Sequence, residues 1–174
     1  MLIVAATERE LAHVRGVETV VCGIGPVEAA ARTAQALAER TPEAVLHIGV
    51  AGARAIEPLS LVIGSEAVYE DARSGPLIES RIQPDPALLA RVGAALPDAY
   101  VLPIGTSAHV GGVTECAVEA MEGYAVLRAC ALAGVPAVEL RAISNSPDEP
   151  DRSKWRFEEA FAVLGSALDQ LGVV

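Results

Sequence analysis

Four polar side chains stand where an α/β chain places groups that act on a ligand. Glu10 follows an apolar, strand-like run, Glu122 opens an apolar, helix-like segment, and Arg141 and Asn145 close a second strand-like run. Ligands of open α/β sheets bind beyond the carboxyl ends of the strands, so we expect one cleft to hold all four side chains. Two carboxylates, a guanidinium and an amide that meet in this way could form a functional cleft.

Each of these residues also has an interpretation without function. A carboxylate at Glu122 is favoured by the dipole of a helix that starts there, whatever its role. Arg141 has apolar neighbours that indicate burial, and a buried arginine needs a carboxylate partner, which Glu10 or Glu139 could supply.

The elements that must position these groups alternate along the chain. Apolar runs rich in Val, Ile and Leu predict strands covered on both faces, at Leu2–Ala6, Thr19–Cys22, Ala44–Val50, Leu61–Tyr69, Tyr100–Ile104 and Ala137–Ile143. Helix-like patterns lie between them, at Pro26–Glu39, Pro86–Leu96, Glu122–Ala133 and Ser153–Leu171. This alternation predicts one α/β domain over residues 1–174 with a largely parallel or mixed sheet, and a surface loop at Arg73–Pro86.

Composition excludes several classes of function. The 174 residues carry a net charge of −10, and Lys154 is the only lysine, so nucleic acid and anionic membranes are not expected partners. No uncharged run is long enough to cross a membrane. The three histidines show no metal-ligand spacing, so we expect neither a metal nor a cofactor. Three scattered cysteines outside any CxxC pair favour a reduced cytoplasm.

The segment Cys22-Gly23-Ile24-Gly25-Pro26 superficially resembles a dinucleotide-binding fingerprint. Glu28 takes the place of the third glycine and would repel a pyrophosphate. We therefore predict a tight turn and close packing of a strand on a helix.

Five segments in this order resemble the superfamily of purine nucleoside phosphorylases and methylthioadenosine nucleosidases. They are Ala6-Thr7-Glu8-Arg9-Glu10-Leu11, Gly23-Ile24-Gly25-Pro26-Val27-Glu28-Ala29-Ala30, Ile48-Gly49-Val50-Ala51-Gly52, Val118-Glu119-Ala120-Met121-Glu122-Gly123 and Arg141-Ala142-Ile143-Ser144-Asn145. The resemblance implies a three-layer αβα sandwich around a twisted mixed sheet, a small-molecule nucleoside as substrate and a homodimer or higher homo-oligomer.

The resemblance also implies roles for individual residues. Glu10 matches a carboxylate that activates water, and Arg141 an arginine near it. Met121 and Glu122 match the pair that holds the ribose. Ala51 and Gly52 match a backbone turn near the base, and His109 and Val110 match positions that line the purine. Ser144 is a further candidate for substrate binding. Cleavage builds positive charge on the sugar, so a carboxylate there acts mainly in the transition state.

Water is favoured over phosphate as the nucleophile. In the hexameric phosphorylases of the superfamily, an Arg-Val-Gly-Ser type of turn holds phosphate, whereas this chain has His47-Ile48-Gly49-Val50. Arg54 lies close enough in sequence to compensate, so a phosphorylase acting on inosine or guanosine stays an alternative. A nucleoside-binding module without activity is a third.

Asn145 bears on the identity of the base. Methylthioadenosine nucleosidases carry an aspartate there that protonates adenine, and an amide cannot act as an acid. Asn145 favours a 6-oxopurine such as hypoxanthine, whereas a methylthioadenosine or adenosylhomocysteine nucleosidase is the alternative.

Four segments also resemble the futalosine hydrolase family, which releases hypoxanthine from a 5′-modified nucleoside on a route to menaquinone. They are Thr106-Ser107-Ala108-His109-Val110-Gly111-Gly112, Val118-Glu119-Ala120-Met121-Glu122-Gly123, Ile143-Ser144-Asn145 and Asp151-Arg152-Ser153-Lys154-Trp155. Arg152 or Lys154 is a candidate to bind a carboxylate on the 5′ substituent. The stretch from Glu10 to Gly23 is shorter than in relatives, so a sheet edge is trimmed or a partner subunit completes the pocket.

Overall fold

The computed structural model describes residues 1–72, 75–111 and 114–173. Within them the strands are β1 Leu2–Ala5, β2 Glu18–Val21, β3 Val45–Ala53, β4 Leu61–Tyr69, β5 Arg81–Ile82, β6 Tyr100–Thr106, β7 Val118–Ala120 and β8 Ala137–Asn145. The α-helices are α1 Pro26–Glu39, α2 Pro86–Ala95, α3 Gly123–Ala133 and α4 Phe157–Gln170. Short 3₁₀-helices lie at Gly75–Leu77 and Arg152–Lys154.

Local sequence signals explain where the helices begin and end. Pro26 is the first residue of α1, where its missing N–H costs nothing. The Asp85 carboxylate accepts a hydrogen bond of 2.8 Å from the N–H of Leu88 and so caps α2. Gly134 ends α3 in the left-handed conformation at φ 69°, which glycine adopts without strain.

The strands form one mixed sheet that closes on itself. β3 pairs in parallel with β1 and β8 and antiparallel with β7, while β4 pairs in parallel with β6 and antiparallel with β5 and β8. Because β6 also pairs with β7, strands β3, β8, β4, β6 and β7 form a closed ring. β2 extends the sheet as an edge strand beside β1.

Helices cover both faces of this sheet, which confirms the three-layer αβα prediction. One core cluster packs α2 and α4 against β1, β3 and β8 through residues such as Leu46, Leu140 and Leu164. A second packs α1 and α3 against the other face through residues such as Leu2, Val45 and Val126. A third cluster, made of side chains of the five ring strands, fills the inside of the ring.

Several predicted boundaries were wrong. The interpretation of Arg73–Pro86 as only a loop is incorrect. The segment contains a 3₁₀ turn and β5, and Pro86 is already the first residue of α2. Arg73 and Ser74 lie outside the described residues. The segment before α3 is strand β7, and α4 begins at Phe157 rather than Ser153. β3, β6 and β8 run two or three residues beyond their predicted ends, because neighbouring strands pair with those residues.

None of the helices in the described part of the chain is both long and apolar enough to cross a bilayer.

Candidate active site

A cavity of about 420 Å³ opens beyond the carboxyl ends of β1, β3 and β8. Nine of the ten predicted site residues line it: Glu10, Ala51, Gly52, His109, Val110, Met121, Glu122, Ser144 and Asn145. The tenth, Arg141, lies behind this wall. The structure therefore brings the predicted carboxylates and the amide together and places the guanidinium one layer deeper.

Glu10 is held rigidly by the backbone that surrounds it. It lies in the turn after β1, where Oε2 accepts hydrogen bonds from the N–H and the hydroxyl of Thr7 at 2.9 and 3.0 Å. Oε1 accepts from the N–H of Val50 at 3.2 Å. A Cβ atom at Gly49 would lie 2.7 Å from Oε1, so only glycine lets β3 approach this carboxylate. Glu10 is thus a fixed acceptor at the cavity wall.

Glu122 precedes α3 and is only 4% exposed. Its Oε1 accepts a hydrogen bond of 3.0 Å from the N–H of Gly25, in the turn before α1. The Gly23–Pro26 turn therefore helps to hold Glu122 in place. Gly25 directs its N–H at the carboxylate from a backbone conformation with φ of +90°, which glycine adopts readily. Burial raises the pKa of Glu122, and the charge of Arg141 opposes the shift.

Arg141 is 1% exposed and sits at the centre of a buried polar cluster. Its Nε donates to Glu139 at 2.7 Å, and its Nη2 lies 3.5 Å from Glu122 Oε2. Its Nη1 donates to the carbonyl of Val50 at 3.3 Å. The prediction of a carboxylate partner is confirmed for Glu139, while Glu10 influences Arg141 by its charge.

His47 completes the cluster as a neutral residue. Its Nδ1 lies 3.0 Å from the carbonyl of Val4 and must carry the proton, since a carbonyl only accepts. Its Nε2 then accepts from Arg141 Nη2 at 2.6 Å. Burial, and then the charge of Arg141, holds the pKa of His47 well below its usual range. The expected structural role of this histidine fits these contacts.

Asn145 presents its amide in a defined orientation at the end of β8. The atom 3.0 Å from the carbonyl of Ser146 must be Nδ2, because that carbonyl can only accept. Oδ1 then accepts from the hydroxyl of Ser144 at 2.7 Å. A register shift between Ala51 and Gly52 makes Ser144 the extra residue of a bulge that directs both side chains. One N–H of Nδ2 is left to face a ligand.

The loop after β6 contributes His109 and Val110. Asp71 anchors it by accepting from the Ser107 hydroxyl at 2.6 Å and from the N–H of Ala108 at 2.7 Å. The side chain of His109 lines the cavity and is mostly exposed, so it is accessible to a base bound there. Gly112, which belongs to the motif noted in the sequence, lies outside the described residues.

Sequence reasoning missed an aromatic wall that closes the cavity on one side. Trp155, Phe157 and Phe161 line it, with Arg9 5.3 Å above the Phe161 ring and Arg152 5.5 Å above the Trp155 ring. The signal was present in the composition. The chain has only one tryptophan and two phenylalanines, and all three fall within seven residues.

The two groups near the His47–Val50 turn that were candidates to hold phosphate, the N–H of Val50 and the side chain of Arg54, are already engaged. The N–H of Val50 donates to Glu10. Arg54 does not line the cavity, and it donates to the carbonyl of Cys116 at 3.2 Å and lies 3.4 Å from Glu119. The possibility that Arg54 compensates for the missing phosphate-binding turn is therefore not supported by its position.

No group of three His, Cys, Asp or Glu side chains that could hold a metal ion occurs in residues 1–72, 75–111 and 114–173. Cys22, Cys116 and Cys130 are free thiols. Burial raises the pKa of Cys22 to about 12 and that of Cys116 to about 11, so neither is a nucleophile near neutral pH.

Comparison with known proteins gives this arrangement a family. The family model of the phosphorylase superfamily matches residues 8–172. A futalosine hydrolase of Streptomyces coelicolor is 32% identical over an alignment that covers 91% of this chain and 80% of that protein. A second futalosine hydrolase, from Acidothermus cellulolyticus, is 31% identical over an alignment that covers 89% of this chain and 78% of that protein.

A solved structure supports the fold independently. A futalosine hydrolase mutant of Helicobacter pylori superimposes with a TM-score of 0.88 over 98% of this chain and 97% of its own, at 18% identity. At this identity the structural match is evidence for the fold alone. The assignment to a family rests on the sequence matches. The chain belongs to the phosphorylase superfamily and, within it, to the family of the futalosine hydrolases.

Proposed function

We propose that this chain hydrolyses the N-glycosidic bond of futalosine, releasing hypoxanthine and dehypoxanthine futalosine in menaquinone biosynthesis. The observation that carries the proposal is the joint presence of Glu10, Glu122 and the oriented Asn145 amide in one cavity. Membership of the futalosine hydrolase family supports the substrate.

Glu10 and Glu122 have different roles at the sugar. Glu10 accepts a proton from a water molecule, whose oxygen attacks the anomeric carbon of the ribose. Glu122 accepts hydrogen bonds from the ribose hydroxyls, and its charge stabilises the positive charge that builds up on the ring. Met121, the chain neighbour of Glu122, also lines the cavity, and in this proposal it packs against the sugar. Arg141 acts as a positioning residue behind both carboxylates.

Asn145 acts on the leaving group. As the bond to the base breaks, its electron pair passes to the purine, and the free N–H of Asn145 Nδ2 donates to N7. The Ser146 carbonyl fixes that donor, and the Ser144 hydroxyl supports it, so Ser144 positions the amide rather than the base. A 6-oxopurine presents hydrogen-bond acceptors at N7 and O6, and both suit the N–H donor of Asn145. Adenine carries an amino group at C6, which is itself a donor and does not suit Asn145 Nδ2.

Hydrolysis is favoured over phosphorolysis because the polar groups beside the proposed position of the anomeric carbon, Glu10 above all, suit a water molecule as nucleophile. Glu10 carries a negative charge where phosphate would have to bind, and the nearby Arg54 is engaged elsewhere. A nucleoside-binding module without activity would need no water-activating carboxylate.

Further properties follow as part of the same proposal. The chain acts as a single domain in the cytoplasm, without a cofactor, and the three free cysteines support a reducing compartment. It forms a homodimer or higher homo-oligomer, which the exposed apolar side chains of Ile24, Val27 and Val110 at or near the cavity mouth support.

Incubation with futalosine, inosine and methylthioadenosine tests the proposal directly. We expect hypoxanthine from futalosine in the absence of phosphate, and little product from methylthioadenosine. Glu122→Gln keeps the shape of the side chain and should lower kcat by about 10²- to 10³-fold with the fold intact, checked by circular dichroism.

Three other results would contradict it. No hypoxanthine from futalosine excludes the activity. Strict phosphate dependence with ribose 1-phosphate as product establishes a phosphorylase. Tight nucleoside binding without turnover establishes a binding module.

A further inference from the structure

Glu139 is a buried carboxylate that the proposed reaction does not use. It is 0% exposed, and while Oε1 accepts from Arg141 Nε, Oε2 has no hydrogen-bond partner. A buried carboxylate oxygen without a partner is costly, so the arrangement calls for a role beyond packing.

Gly123, the first residue of α3, makes room for this carboxylate. A Cβ atom at Gly123 would lie 2.1 Å from Glu139 Oε2 and 2.3 Å from Oε1, which no side chain allows. Gly123 directly follows Glu122. The residue that accommodates Glu139 is thus the chain neighbour of the ribose-binding carboxylate.

Glu139 also limits how Arg141 meets Glu122. Glu139 fixes the Nε side of the guanidinium, His47 accepts from Nη2 and the Val50 carbonyl accepts from Nη1. With these partners in place, Nη2 stays 3.5 Å from Glu122 Oε2 and forms no short bidentate pair with it. Glu122 Oε2 therefore retains acceptor capacity for a ligand.

We propose that Glu139 is a positioning residue that holds Arg141 away from Glu122, so that Glu122 stays free to bind the ribose hydroxyls, and that Gly123 exists to accommodate it. The proposal rests on the proposed function for its kinetic readout. The charged groups around the cluster are Glu139 and Arg141 on β8, Glu122 before α3 and Glu10 after β1; His47 on β3 is neutral.

The sign of the expected pH effect follows from these charges. The negative charges of Glu10 and Glu139 add to burial in raising the pKa of Glu122. Glu139→Gln removes one of these charges, so Glu122 should ionise at lower pH. The acidic limb of the kcat/KM profile with futalosine should therefore move to lower pH. Glu57→Gln, on the exposed turn between β3 and β4, is the matched control and should not move it.

A second pair of variants tests the contact with α3. Gly123→Ala should lower kcat/KM by roughly 10²-fold, because the displaced carboxylate moves Arg141 and Glu122. Adding Glu139→Ala removes the clash, and the double variant should recover at least part of the loss. A purely structural role would change the melting temperature and leave the pH limb in place.

The results separate this proposal from the proposed function. An unmoved acidic limb in an active Glu139→Gln enzyme, or no recovery in the double variant, overturns the role of Glu139. If the wild type hydrolyses no nucleoside, the proposed function fails. The pH dependence of inosine binding, measured by calorimetry for wild type and Glu139→Gln, then tests the same shift.

Discussion

His47 connects the reaction site to the stability of the fold at the scale of a single side chain. It is fully buried, donates to the carbonyl of Val4 and accepts from Arg141, so it must stay neutral in the folded protein. In the unfolded chain it takes up a proton near its ordinary pKa of 6.5. Stability from this group is therefore present above pH 6.5 and is lost as the pH falls.

We expect His47→Gln, whose carbonyl can still accept from Arg141, to flatten this dependence. Between pH 6.5 and 5 the wild type should lose up to about 1.4 kcal/mol of unfolding free energy per pH unit relative to the variant. Glu122 and Glu139, whose pKa values burial raises, act in the opposite direction, so only this difference is diagnostic.

Urea denaturation at several pH values measures the effect. His13→Gln, at an exposed position, is the control and should keep the wild-type slope. Parallel slopes for wild type and His47→Gln would contradict a neutral, buried His47.

Residue types predicted a common cleft for Glu10, Glu122 and Asn145 and a carboxylate partner for Arg141, but not that Arg141 lies behind the cavity wall. The need of a buried Arg141 for a carboxylate follows from the cost of an unpaired charge, and Glu139 meets it. That Glu122 also approaches Arg141 depends on where α3 meets β8, which no local pattern encodes. The orientation of the Asn145 amide depends on a bulge that only strand pairing reveals.

At the scale of elements, α1 was predicted to the residue, because Pro26 and the apolar periodicity mark it locally. β7 was missed because three residues carry no periodic signal, and β3 and β6 hold them in the sheet. The start of α4 was placed too early because the capped 3₁₀ turn at Arg152–Lys154 resembles a first helical turn in sequence.

Helix packing gives a pair of opposite stability predictions. A Cβ atom at Gly165 in α4 would lie 2.8 Å from the Cβ of His13, whereas one at Gly93 in α2 meets nothing within 4 Å. Gly165→Ala should cost about 1–3 kcal/mol of unfolding free energy, and Gly93→Ala should add about 0.5–1 kcal/mol. Chemical denaturation of both variants checks this, and a gain in stability for Gly165→Ala would refute the close contact.

The segment that carries Arg152 leads to a prediction about substrate selection. Of the two candidates for a carboxylate on the 5′ substituent, Arg152 lines the cavity and makes no ion pair with any described residue, while Lys154 lies 3.1 Å from Glu149. Loss of a charge-assisted hydrogen bond costs about 1.5–3 kcal/mol, or roughly 10- to 100-fold in affinity. Arg152→Met should therefore raise KM for futalosine by that factor.

Steady-state kinetics with two substrates check this role. KM for inosine, which lacks the substituent, should not change in Arg152→Met. Lys154→Met should behave as wild type with both substrates. Equal losses for futalosine and inosine would mean that Arg152 supports the cavity wall and does not read the substituent.

For the whole molecule, the distribution of exposed apolar side chains argues for association. Ile24, which lines the cavity, is 61% exposed, and Val27, in the first turn of α1, is 78% exposed. We expect Val27→Glu to shift the protein towards monomer in light scattering coupled to size exclusion. Leu132→Glu on α3, at a similarly exposed position, should leave the mass unchanged. A monomeric wild type at micromolar concentration would contradict the prediction.

The aromatic wall makes this protein its own optical probe. Trp155 is the chain's single tryptophan, its indole N–H donates to the carbonyl of Glu149 at 3.0 Å, and its ring lines the cavity. All indole fluorescence therefore originates at the ligand site. Stopped-flow emission can follow substrate entry and product release in the unlabelled enzyme, each as a change at one known ring.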